Sequence, residues 1–223
     1  RPSRLEAFAA LGLRMLIPAY NRDNLFCGGV LEYTNAGLSA SGRNLVEECD
    51  RLGVVLDLSH VSPRSAAEII EASANPQVFS HANPLQLVDN PRNISDELIR
   101  SVAEKGGVVG LVNWGPLLFR EGMTRRPNLA DFLDHVDYVA DLLGSTRNLG
   151  IGTDFSLGSY PRHNYDRQEH LKKVASRMNE YVTDYWRAFE RFAEGFENYP
   201  QITNVIEGLR DRGYSDENIA GIL

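Results

Sequence analysis

The sequence predicts an α/β domain of the (β/α)8 TIM barrel class, with about the last five of the eight strands present in this chain. Three observations carry that expectation. Five short apolar runs recur, each followed by polar residues and then a helical pattern; near-continuous apolar runs suit parallel strands covered by helices. The runs end in Tyr20, His60, His81, Asn113 or Trp114, and Asp154, and a barrel gathers such residues at the C-terminal ends of its strands. The rival architecture, an open doubly wound sheet, would normally show a glycine-rich phosphate turn after an early strand, and neither the dinucleotide nor the P-loop glycine signature occurs.

The elements follow in order. The first run is "LRMLIPAY", Leu13–Tyr20. Ser39 or Ser41 can cap the helix "GRNLVEECDRLG", where Leu45, Val46, Cys49 and Leu52 form a stripe and Gly53 supplies a stop. "GVVLDLSH", Gly53–His60, is the second run. Pro63 opens the next helix, "RSAAEIIEAS", where its missing N–H costs nothing. "PQVFSH", Pro76–His81, leads to a turn and then to "ISDELIRSVAEKGG", capped by Ser95 and closed at Lys105 and Gly106. "GGVVGLVNW", Gly106–Trp114, precedes the helix "NLADFLDHVDYVADLLG", which places Leu129, Phe132, Leu133, Val136, Val139, Ala140 and Leu143 on one side. "NLGIGTDF", Asn148–Phe155, is the fifth run. An aromatic-rich insertion from about 159 to 194 breaks the rhythm, with helical spacing from Arg167 onward. Two packed helices close the chain, the second capped by Ser215.

With 43% apolar residues in 223, the chain can bury a sizeable core. Its formal charge of -7, with acids and bases interspersed, offers no basic field to a nucleic acid. No apolar run approaches the ~20 residues that cross a bilayer. Cys27 and Cys49 form no motif; they fit two idle thiols or one bridge, and both alternatives stay open. The low cysteine count and the lack of a basic-then-apolar leader favour a cytoplasmic location. The chain opens without Met and closes within a helical pattern, so residues 1–223 are expected to be the C-terminal part of one barrel domain, with three strands preceding Arg1.

His60 and His81 end successive runs, and neighbouring parallel strands lie ~4.8 Å apart, a spacing that suits two imidazoles sharing one zinc. Asp154 can sit across from them and exchange a proton with an activated water and a leaving group. Asp57 lies three residues before His60, where it can bond a neighbouring loop or orient a ligand imidazole from behind. Arg92, in the turn-like "VDNPRNIS", has the forked guanidinium that clamps a carboxylate in two bonds, although a solvated loop arginine is the plainer reading. Tyr20, Asn113 and Trp114 are candidates to contact substrate. His135, on the outer helix layer, and His163 and His170, in the insertion, read as structural or surface residues.

The stretches "GLSASGRNLVEECDRLGVVLDLSHVS", "PQVFSHANP", "DNPRNISDELI", "GGVVGLVNW", "LGIGTDF" and "YPQITNVIEGLRDRGYSDENIAGIL" resemble, in order, the renal or membrane dipeptidase family of zinc peptidases, within the metal-dependent hydrolase barrels. The resemblance implies a site with two zinc ions in which His60 and His81 bind one metal. The family's His-x-Asp pair and bridging Glu would lie upstream of Arg1. It further implies that Arg92 holds the terminal carboxylate of a dipeptide, and that hydroxide attacks the peptide carbonyl while Asp154 shuttles the proton to the departing amine. A homodimer of complete barrels would fit the family.

Three departures matter. Where the family usually has "THN", this chain has "AYN", so Tyr20 replaces a histidine that helps bind the scissile group. A phenol can donate a hydrogen bond to an oxyanion but offers no imidazolium. "GxDFDG" becomes "GTDFSLG", losing an acid at Ser156, and the insertion exceeds the usual length. Two alternatives therefore accompany the dipeptidase expectation. One is a catalytically impaired family member serving as a binding or assembly protein. The other is a zinc hydrolase or decarboxylase acting on another small carboxylate.

Overall fold

A computed structural model describes residues 4–155 and 192–223. After helix α1 (Arg4–Ala10), strands β1 (Met15–Leu16), β2 (Val55–Leu56), β3 (Val78–Phe79), β4 (Val108–Leu111) and β5 (Leu149–Ile151) alternate with helices α2 (Ala40–Leu52), α3 (Pro63–Ala72), α4 (Asp96–Glu104) and α5 (Leu129–Leu143). Helices α6 (Ile202–Asp211) and α7 (Asp216–Ile222) follow. All strand pairing is parallel. β1 and β2 form one sheet and β3, β4 and β5 a second, joined by a single bridge between Asp57 and Val78. The alternation and strand order match the expected α/β pattern, but the described residues form no closed barrel.

The strands are much shorter than the apolar runs, and a side chain explains the weakest junction. Gln77, buried to 1% exposure, accepts from the Leu56 N–H through Oε1 at 2.9 Å, while its Nε2 donates to Ser73 Oγ and the Asn75 carbonyl. An amide side chain thus holds the ladder position where β2 would otherwise pair with β3. The apolar character of the runs is spent on burial instead: Leu56, Leu58, Phe79, Val109, Leu111 and Leu149 all lie within the core.

The helix ends follow their local chemistry. Ser39, not Ser41, caps α2 by accepting from the Gly42 N–H, and Gly53 ends it at φ 65°, a left-handed conformation that penalises side chains. Ser62, Ser95 and Ser215 cap α3, α4 and α7 in the same way. α5 opens on a reciprocal box between Asn128 and Asp131. Its buried face includes Phe132, Leu133, Val136 and Val139, as the spacing predicts, and also His135. That histidine is fully enclosed, because it stands three residues from Phe132 and four from Val139 and so falls on the same stripe. Of the two readings, structural or surface, His135 is a structural residue of the core and not a surface one. The insertion expected at 159–194 lies outside the described residues except for its last three, of which Phe192 bridges Trp114 and Glu194 bridges Asn128. His163 and His170 also lie outside them. Cys27 and Cys49 are both free and buried, and burial raises each thiol to about 11, helped by the Asp23 charge at Cys27 and Asp50 and Glu48 at Cys49. Among the described residues, no helix is long and apolar enough to cross a membrane.

Candidate metal centre

Beyond β2 the chain runs through Asp57 and Ser59 to His60, and beyond β3 it runs through Ser80 to His81. The Leu58 N–H donates to the Val78 carbonyl at 2.7 Å, and the His81 N–H donates to Ser59 Oγ at 3.0 Å, so the two ends advance side by side. β4 and β5 press against the same place. A Cβ on Gly152 would stand 1.7 Å from the Ser80 carbonyl oxygen, and one on Gly110 2.3 Å from it. Only glycine allows that approach.

The two rings meet. His60 Nε2 and His81 Nε2 lie 2.9 Å apart, with ring centroids separated by 4.9 Å. The outer nitrogen of each ring is already engaged. His60 Nδ1 stands 2.7 Å from Asn21 Oδ1, and His81 Nδ1 stands 2.7 Å from Ser80 Oγ. An amide oxygen only accepts, so His60 Nδ1 carries the hydrogen and its Nε2 carries the lone pair. Ser80 Oγ donates to Asp57 Oδ2 at 2.5 Å, which leaves it to accept from His81 Nδ1. Two lone pairs therefore face one another, an arrangement that calls for a cation.

One cation is already beside them. Arg92, only 4% exposed, brings Nη2 within 3.1 Å of His60 Nε2 and 3.4 Å of the His81 carbonyl. Its loop is folded by Asn90, whose Oδ1 accepts from the Arg92 N–H at 3.0 Å. This is no solvated loop arginine. Burial, then Arg92 and His81, pushes His60 down to about 2; burial and Arg92 likewise lower His81, opposed by Asp154 and Asp57. Both rings are thus neutral near pH 7, the form that binds metals. Two imidazole nitrogens on one tetrahedral zinc stand ~3.3 Å apart, given Zn–N bonds of ~2.0–2.1 Å. The observed pair fits as two ligands of such a site. Among the described residues no group of three or more His, Cys, Asp or Glu joins into a fuller donor set.

Asp154 projects from the turn after β5 at φ 53°, exposed and near enough to favour the charged form of His81. The next residue holds it there: Phe155 packs edge-on against Phe192, Phe196 and Tyr199, at centroid distances of 4.7, 5.5 and 5.1 Å. Four residues other than glycine take positive φ among the described residues, and three of them, Asn21, His60 and Asp154, belong to this cluster. Such conformations cost ~1–3 kcal/mol each and collect at functional sites. Tyr20 is 66% exposed and stacks on His60 at 4.1 Å, open to anything that approaches the ring pair. Asn113 and Trp114 are tied elsewhere. Asn113 donates to the Phe196 carbonyl and Trp114 pairs with Phe192, so both anchor the returning segment.

Sequence reasoning passed over Asn21, Ser59 and Ser80, although each histidine of the pair follows a serine in the chain. That repeated Ser-His doublet was the available signal.

The family model described as membrane dipeptidase, peptidase family M19, matches residues 1–187. An uncharacterised dipeptidase of Schizosaccharomyces pombe is 36% identical over 156 residues, covering 69% of this chain and 38% of its own. Among solved structures, an amidohydrolase from Pseudomonas aeruginosa superposes with a TM-score of 0.80 at 29% identity, over 98% of this chain and 64% of that one. A metallopeptidase from Rhodobacter sphaeroides, liganded with a phosphinate mimic of the dipeptide L-Ala-D-Ala, gives 0.76 at 25% identity, over 99% of this chain and 55% of that one. The chain thus spans 38% of that curated relative and less than two thirds of each of these structures.

Proposed function

This chain belongs to the membrane dipeptidase family, peptidase family M19, and on that premise we propose that it supplies the carboxylate-binding side and one metal-binding pair of a zinc dipeptidase barrel. The observation that carries the reading is the convergence of His60 Nε2 and His81 Nε2 at 2.9 Å beside the buried Arg92 guanidinium. His60 and His81 would hold zinc, with the remaining ligands and the second zinc's shell contributed from outside the described residues. Zinc, when bound, supplies a Lewis acid and lowers the pKa of water at the site toward ~7.

The protein's own groups do the rest. Arg92 offers two parallel N–H donors to a terminal carboxylate, fixing the peptide by its end. Asp154, on the exposed rim near His81, accepts a proton as water adds to the carbonyl and returns it to the departing amine. Tyr20, stacked on His60, presents a phenolic O–H where the family places an imidazole, and donates to the developing oxyanion. The likeness to a metallopeptidase liganded with a dipeptide mimic supports this substrate class.

The test is metal analysis and dipeptide hydrolysis with the whole protein that carries this chain. Bound zinc together with turnover, both lost in His60→Ala, is the expected result. A protein that takes up no zinc under replete conditions would overturn the reading. Zinc uptake without turnover of any dipeptide would favour the impaired, binding-only alternative instead.

A further inference from the structure

We propose that Ser80 and Asp57 are positioning residues for His81, a carboxylate–hydroxyl relay that dictates which ring nitrogen carries the proton. The inference rests on the zinc reading for its purpose but not for its geometry. Asp57 is 2% exposed, and its carboxylate is fully employed. Oδ1 accepts from the Ser59 N–H and the Ser80 N–H, each at 3.0 Å, and Oδ2 accepts from the Ser80 hydroxyl at 2.5 Å. A hydroxyl has one hydrogen. Once it is given to Asp57, Ser80 Oγ can only accept at its 2.7 Å contact with His81 Nδ1, so that nitrogen must be the N–H.

The consequence is that His81 Nε2 holds its lone pair toward His60 without choosing between tautomers. The same carboxylate grips the ends of both strands, because Ser59 precedes His60 and Ser80 precedes His81. Asp57 therefore sets the spacing of the two rings as well as the protonation of one. An acid bonded directly to the imidazole would do the orienting too, but here the hydroxyl stands between charge and ring. A purely structural role would be to tie β2 to β3, and it would leave the His81 proton where it was.

Nitrogen NMR on the whole protein, labelled at histidine and free of metal, reads the relay directly. His81 is expected as the Nδ1–H form in the wild type. Ser80→Ala should shift it toward the Nε2–H form and weaken zinc binding ~10–100-fold in a competition titration, the usual cost of losing a ligand's supporting partner. Ser80→Thr keeps the hydroxyl and should restore both. A wild-type His81 protonated at Nε2, or a Ser80→Ala protein with unchanged tautomer and unchanged zinc affinity, would overturn the proposal. Failure of the wild type to bind zinc would defeat the zinc reading alone, since the tautomer still decides the relay.

Discussion

Two buried histidine environments in this molecule look alike by burial and by its effect on the imidazole pKa, and differ in their hydrogen-bond partners. His135 on α5 is fully enclosed, and neither ring nitrogen has a hydrogen-bond partner among the described residues. His60, also buried, has Asn21 behind it and His81 and Arg92 before it. Burial is the largest cause of the lowered pKa in both cases, to about 3 at His135 and about 2 at His60. A depressed histidine pKa is therefore no mark of function here. What separates a site from a core position is the direction of the lone pairs: at His60 and His81 one nitrogen is anchored and the other is aimed.

The comparison is broken most severely by cutting the pair. His81→Ala should weaken zinc binding more than ~100-fold, beyond the effect of losing a supporting hydrogen bond, whereas His135→Leu should leave zinc affinity at the wild-type value in the same competition assay. Equal losses would erase the distinction. The reverse pattern applies to stability. Phe132→Ala, beside His135 in the α5 core, should lower unfolding free energy by about 3–5 kcal/mol in urea titrations while leaving zinc affinity unaltered in the folded fraction.

The pH dependence of stability sharpens the contrast further. His135 is held neutral in the folded chain down to about pH 3, while the unfolded chain takes up a proton near the ordinary value of 6.5. Its contribution is fully present above pH 6.5 and is lost progressively as pH falls toward 3, at up to about 1.4 kcal/mol per pH unit. His135→Leu should flatten the measured slope between pH 6 and 4 by about one proton. An unchanged slope would mean that the ring is not buried neutral. On the catalytic side, Arg92→Lys keeps the charge but loses the fork, and should raise KM for a dipeptide about tenfold, equal to ~1.4 kcal/mol, with a smaller change in kcat. A fall confined to kcat would place Arg92 away from the carboxylate.

Much of this was legible in the sequence because it depends on local rules. The capping serines, the Gly53 stop and the α5 stripe follow from periodicity and from what a helix terminus lacks. The parallel order of the strands follows from apolar runs alternating with amphipathic helices. Strand length did not, because Gln77 and Asp57 replace backbone pairing with side-chain bonds, which no hydropathy pattern encodes. His60 and His81 were visible as run-terminal histidines, yet Asn21 and Ser80 were not, since their roles exist only once separate strands are brought together. For Arg92 the sequence left a carboxylate clamp and a solvated loop residue both open, because the loop reads as polar; its burial against the Asn90 turn and the His60 ring exists only in the folded chain.

The most direct test is a zinc titration of the whole protein followed by histidine nitrogen NMR. His60 and His81 Nε2 resonances should move together and saturate with the same ion, while His135 stays still. Movement of only one ring of the pair, or of neither at saturating zinc, would contradict the claim that both nitrogens converge on a common ion.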